Sequence, residues 1–258
     1  MPEPYTTLAR YYDLENADFT EDLDFWLELA DEHGGPVLEL GCGTGRVLLP
    51  LARRGHAVTG VDNAPEMLAR LTQKLAAAQG LRGAGGRLAP PTVLEADFAT
   101  FTAEARFPLA LMPFNTFMHL LTLEAQVAAL ANIRRHLAPG GLLALDLINP
   151  GEAYAAESAG LTLERTFTDG DRLVQQFALL AVDRAAQLAR ITWLYDSLGP
   201  EGRLERAAVP LTLRYTFPGE MRLLLEKTGF ALAHLYGDYA RAPFADGAER
   251  MLVLATAV

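Results

Sequence analysis

One cysteine, Cys42, stands in a chain of 258 residues. A lone thiol forms no internal disulfide, and no Cys/His set with zinc spacing exists. No apolar run approaches the roughly 20 residues that cross a bilayer. The start, Met1-Pro2-Glu3-Pro4, has no basic segment followed by an apolar one. A cytoplasmic location with no membrane partner is therefore expected. Positive charge is also scarce: 22 Lys and Arg face 32 Asp and Glu, for a net charge of −10. No Lys/Arg cluster interrupts that balance, and counter-ion release from phosphates needs one, so nucleic acid is not expected as a partner. Internal repeats and low-complexity tracts are absent as well. Half of the residues are apolar and about a fifth are charged. That composition suits a globular protein with a sizeable core, and the length suits one α/β domain with an insertion.

The stretch Val37-Leu38-Glu39-Leu40-Gly41-Cys42-Gly43-Thr44-Gly45-Arg46 carries the most information. A short apolar run ends in a turn with glycine at alternate positions, and the helical pattern of Val47 to Ala52 follows at once. A strand, a tight turn and a helix start are the arrangement in which a sheet presents a ligand to bare backbone. Dinucleotide sites space their glycines G-x-G-x-x-G, the last one letting helix and strand pack closely. Counted from Gly41, that last place holds Arg46, which is too large for the contact. Cys42 reads as a small residue tolerated in the turn rather than a nucleophile.

Residues 5–32 read as two helices, the second opening with Thr20 as its N-cap and ending at His33-Gly34-Gly35-Pro36. Strands at 37–40, 57–61, 92–95, 107–112 and 142–148 then alternate with helices at 47–54, 65–79 and 123–137. Residues 80–91, rich in Gly, Arg and Pro, read as a surface loop. This alternation predicts an α/β fold, a doubly wound and mostly parallel sheet with its ligand at the strands' carboxyl edge. After Asn149-Pro150-Gly151 the pattern changes. Four strands at 161–168, 172–182, 187–197 and 204–217 mix charged with apolar residues, as an inserted antiparallel sheet with one wet face does. A helix at 218–227 and strands at 231–236 and 250–257 complete the chain.

Asp62 follows the second strand about 20 residues after the glycine loop begins, where a carboxylate can accept from both ribose hydroxyls of an adenosine. Asp97-Phe98 follows the third strand, placing an acceptor for the adenine amino group beside a ring for the base. Together with Glu39 to Gly45 and Leu137-Ala138-Pro139-Gly140-Gly141, these segments resemble the class I S-adenosylmethionine-dependent methyltransferases. The resemblance covers roughly residues 36–148 and resumes at 218. It implies a Rossmann-like, seven-stranded sheet and S-adenosyl-L-methionine as cofactor. The cofactor positions it carries over are Tyr12, Glu39, Gly41, Cys42, Gly43, Thr44, Gly45, Arg46, Asp62, Asn63, Met67, Asp97, Phe98, Pro113 and Asn115. Tyr12, of the pair Tyr12-Asp13, matches a tyrosine that closes over the methionine carboxylate in similar small-molecule enzymes. The implied division is a helical lid over 1–35, a cofactor-binding core over 36–150 and 218–258, and a sheet over 151–217 covering the acceptor.

Methyl transfer from a sulfonium is an in-line displacement, helped by a base when the acceptor nucleophile carries a proton. His119 is the candidate base and substrate contact, since imidazole titrates near working pH. Phe117-Met118-His119-Leu120 resembles a loop of aminosugar N-methyltransferases, with Met118 where those carry glycine. Arg214 and Tyr215, just before the last helix, resemble a segment of that family that faces the substrate. The other histidines, His33, His56, His136 and His234, read as structural. The expected activity is methyl transfer to nitrogen or oxygen of a small-molecule acceptor by a monomer or homodimer. A nucleic-acid methyltransferase is the alternative enzyme, but Met112-Pro113-Phe114-Asn115 lacks the Asn/Asp-Pro-Pro-aromatic order of adenine-amino enzymes. A non-catalytic binder of the same cofactor is the other alternative.

Overall fold

The computed structural model describes residues 4–78, 82–83, 86–87, 90–157 and 160–258. Its elements in chain order begin with α1 (Pro4–Glu15), α2 (Leu23–His33), β1 (Val37–Leu40), α3 (Leu48–Arg54), β2 (Val58–Asp62) and α4 (Pro65–Ala78). A two-residue ribbon, β3 (Arg82–Gly83) and β4 (Gly86–Arg87), falls inside the loop expected over 80–91, the rest of which lies mainly outside the described residues. Then come β5 (Thr92–Glu95), β6 (Phe107–Met112), a 3-10 turn (Thr116–His119), α5 (Leu123–His136), β7 (Leu137–Ile148) and α6 (Pro150–Ala155). The chain ends with β8 (Thr162–Asp169), β9 (Arg172–Asp183), β10 (Leu188–Leu198), β11 (Leu204–Arg214), α7 (Pro218–Lys227), β12 (Phe230–Tyr236) and β13 (Arg250–Ala257).

Seven strands form one sheet in the order β12-β13-β7-β6-β1-β2-β5. The five from β7 to β5 run parallel, and β13 and β12 add antiparallel pairs at one edge. Every residue of β1 is buried, as a central strand covered on both faces requires. Side chains alternate between the faces with period two. Val37, Leu109 and Leu111 pack with Trp26, Leu29 and Leu48 from α2 and α3. Leu38, Leu40 and Met112 face the opposite way, onto Leu130 and Ile133 of α5 and Leu224 of α7.

The inserted segment forms its own four-stranded antiparallel sheet, β11-β10-β9-β8. Its inward face meets α1, where the Tyr11 ring stacks on Tyr195 at 5.0 Å and meets Phe167 edge-on at 5.7 Å. The architecture is thus the doubly wound, mostly parallel sheet with an inserted antiparallel sheet that the sequence predicts. Local differences from the sequence reading have local causes. The second helix starts at Leu23 with Asp22, not Thr20, at its N-cap, and the Asp22 carboxylate makes no capping bond because Arg46 and Trp26 take it. The short helix α6 went unforeseen: the side chain of Asn149 accepts from Gly151 N–H at 2.9 Å, with Pro150 at the first turn.

Candidate active site

Gly41, Gly43 and Gly45 all hold positive φ, at 71°, 49° and 85°. At Gly41 the requirement is also steric, because a Cβ there would lie 2.4 Å from the Thr116 Cγ2. The loop therefore runs against the turn after β6 with no room between them. Asp62, at the end of β2, locks the loop from beside it. One carboxylate oxygen accepts from Gly43 N–H and the other from Ala64 N–H, both at 2.8 Å. Burial pushes the Asp62 carboxyl above its usual range, and these backbone donors oppose the shift.

The turn after β6 is the second support. Phe114 and Asn115 both adopt left-handed backbone, at φ 52° and 64°, which costs energy in residues other than glycine. A buried network holds them there. Asp146 on β7 accepts from Phe114 N–H at 2.9 Å and from the Tyr239 hydroxyl at 3.0 Å, and pairs with Arg250 at 2.6 Å. The Asn115 side-chain oxygen accepts from Ile148 N–H at 2.7 Å and from Arg250 at 3.0 Å. Immediately beyond, the 3-10 turn presents His119.

A cavity of about 1010 Å³ joins these parts. Its sheet-edge wall is made by Gly41, Gly43, Asp62, Asn63, Met67, Asp97 and Phe98. Asn115, Thr116 and His119 stand beside them, and Tyr5 and Tyr12 of α1 also line the cavity. The far wall is the inward face of the inserted sheet, including Ile191, Trp193 and Leu211. The His119 ring meets solvent within the cavity while the surrounding walls desolvate it, which holds its pKa below the usual histidine value. Burial pushes the Tyr12 hydroxyl up to about 12, with Arg46 opposing.

The sequence profile of the family described as "Methyltransferase domain" matches residues 37–141. The cypemycin N-terminal methyltransferase of a Streptomyces species is 31% identical over 223 residues, 86% of this chain and 82% of that protein. The chain is an S-adenosylmethionine-dependent methyltransferase. Among solved structures, the CcbJ methyltransferase of Streptomyces caelestis superposes with a TM-score of 0.79 at 26% identity, over 97% of this chain and 96% of that one. CalS10, an amino pentose methyltransferase from Micromonospora echinaspora solved with S-adenosylmethionine bound, shares the fold with a TM-score of 0.72 at 21% identity. That alignment covers 94% of each chain.

The site of this methyltransferase fits its cofactor on its own geometry. Two bare glycine positions and a backbone-oriented carboxylate face the cavity. Behind them the Glu39 Oε2 is buried with no hydrogen-bond partner, and burial holds that carboxyl well above the usual range. Several residues named from sequence lie behind the wall rather than on it. Cys42 packs into the space left by Gly60, and Thr44 donates to Asp13 at 2.6 Å. Gly45 gives room to Leu71 and Leu49. Arg46 forms a two-bond pair with fully buried Asp22 and lies over the Phe19 and Phe114 rings at 4.9 and 5.2 Å. Pro113 is also off the wall, and its carbonyl accepts from the Thr116 hydroxyl. Arg214 and Tyr215 lie away from the cavity. The guanidinium of Arg214 is taken by Glu220 at 2.5 Å and Gln126 at 3.1 Å, and Tyr215 is buried against Phe217. The fourth inserted strand was expected to run over 204–217 with Arg214 and Tyr215 facing substrate, but it ends at Arg214 and both residues are buried.

Sequence reasoning missed Asp146, Arg250 and Tyr239. One signal existed: an aspartate inside the otherwise apolar run Leu142-Leu143-Ala144-Leu145-Asp146-Leu147-Ile148 must find a partner once buried. The identity of that partner, 104 residues away, was not readable.

Proposed function

We propose that this methyltransferase acts on nitrogen or oxygen of a small-molecule acceptor, with His119 as the base. The observation that carries the reading is the single cavity shared by the glycine-loop edge, His119 and the inserted sheet. The bound cofactor supplies an electrophilic methyl group on a sulfonium, leaving as the neutral thioether. Gly41 and Gly43 would let its methionine part lie against backbone, Asp62 would take the ribose hydroxyls, and Asp97 with Phe98 would take the adenine. Tyr12 and the buried Glu39 are assigned to the methionine end. On this assignment residues 1–35 act as a lid, residues 36–150 and 218–258 as the cofactor core, and residues 151–217 as the acceptor cover.

The nucleophile needs a free lone pair in line with the breaking bond, so a proton on it must leave. A histidine whose pKa is lowered by its surroundings is neutral near pH 7 and accepts that proton at a ring nitrogen. The apolar wall of Ile191, Trp193 and Leu211 would keep water from competing for the site. An acceptor of modest size also agrees with the scarcity of positive charge and with the description of CalS10 as an amino pentose methyltransferase. The test is turnover of His119→Ala with labelled cofactor against pools of amines, phenols and hydroxy compounds. Unchanged turnover would remove His119 from the mechanism, and transfer only to RNA or DNA would reject the small acceptor.

A further inference from the structure

Glu15 ends α1 and lines the cavity at the seam with the inserted sheet. Its Oε2 accepts from the Tyr195 hydroxyl at 2.8 Å and from the Gln176 amide at 3.0 Å, two neutral donors. Its Oε1 has only the adjacent Asn16 amide, at 3.5 Å. The guanidinium of Arg165 bonds the backbone carbonyl of Glu15 rather than its carboxylate. Among the described residues no salt bridge reaches the Glu15 side chain, and the charge of Arg165 acts on it only from its bond to the neighbouring carbonyl. A carboxylate fixed by two neutral donors, with one oxygen nearly free on a cavity wall, is a receptor for positive charge.

Glu15 and His119 reach the cavity from different elements, the end of α1 and the 3-10 turn after β6. Tyr195, beside Glu15, packs with Tyr11, Val174 and Trp193, while the turn bearing His119 packs against β11. An ammonium has no free lone pair, so a group paired with Glu15 is not the atom being methylated in that pose.

We infer that Glu15 is a subsite for a cationic group, an ammonium or guanidinium, on an elongated acceptor whose methylated atom lies at the His119 end. This rests on the cavity being the acceptor site. The experiment uses the full chain saturated with S-adenosylhomocysteine and compares benzylamine with benzyl alcohol by ligand-observed NMR titration. The two probes differ in charge at one atom and share a ring suited to the Trp193 wall. The wild type should prefer the ammonium by about tenfold or more. Glu15→Gln should reduce that preference to under about twofold while keeping its affinity for S-adenosylhomocysteine. Equal affinities in the wild type, or a preference retained by Glu15→Gln, would overturn the assignment. Should Glu15→Gln lose S-adenosylhomocysteine binding, Tyr195→Phe is read instead, with about a threefold loss of preference expected and no loss overturning it. Failure of the wild type to bind S-adenosylhomocysteine would instead defeat the cofactor reading beneath it.

Discussion

The two ends of the cavity are built by opposite means. At the glycine-loop end the decisive groups are backbone, and the Asp62 carboxylate is oriented by N–H groups 19 and 2 residues away. At the inserted-sheet end the decisive groups are side chains, and Glu15 meets its partners across 161 and 180 residues. The first end is a local motif; the second exists only once the chain has folded. On the proposed assignment, a cofactor common to many enzymes would be held by the part that sequence specifies locally, and the acceptor would meet the part assembled from distant segments.

Substitutions can separate the two ends. The largest effect is expected where they join, at the buried pair of Asp146 and Arg250. Asp146→Ala would leave Arg250 uncompensated and release the left-handed Phe114-Asn115 turn, with a loss of about 3–5 kcal/mol in urea unfolding. Next in size, His119→Ala should lower turnover by about a hundredfold. Its S-adenosylhomocysteine affinity should stay within about threefold, which calorimetry checks. A comparable loss of both would mean that His119 shapes the cofactor end. Gly41→Ala should act in reverse. The added carbon meets Thr116 in a turn with positive φ, so cofactor affinity should fall by about tenfold or more.

The smallest expected effect is in the pH profile. Desolvation lowers the His119 pKa, so the ring stays neutral as pH falls to the ordinary histidine value of about 6.5. A rate that needs the neutral ring should therefore remain above half its plateau at pH 6.5 and decline only below it. An acid limb centred above pH 6.5 would show that a different group, or a raised His119, controls the rate.

The same contrast explains how much could be read in advance. Strand, turn and helix around Gly41 to Gly45 follow from residue type and spacing, and so do Asp62 and Asp97 at their strand ends. The antiparallel insertion was visible in its alternating pattern and its turns. The pattern did not say which face of each strand turns inward to the cavity. Arg214 shows the consequence. Its resemblance to a substrate-facing segment pointed toward a ligand, yet Glu220 neutralises it, Gln126 accepts from it and the residue is buried. Glu15 was unremarkable at the end of a helix until Tyr195 and Gln176 arrived from the inserted sheet. Arg46 was correctly read as too large for a dinucleotide turn, but its pairing with Asp22 depends on how α2 packs, which no local spacing encodes.

The most direct test of the division is a calorimetric titration of S-adenosylhomocysteine into Asp62→Ala and Trp193→Ala side by side. Asp62→Ala should weaken binding by about tenfold or more, through loss of the carboxylate that orients the loop. Trp193→Ala should bind within about twofold of wild type. Equal weakening in both variants, or weakening in Trp193→Ala alone, would contradict a cavity with separate cofactor and acceptor ends.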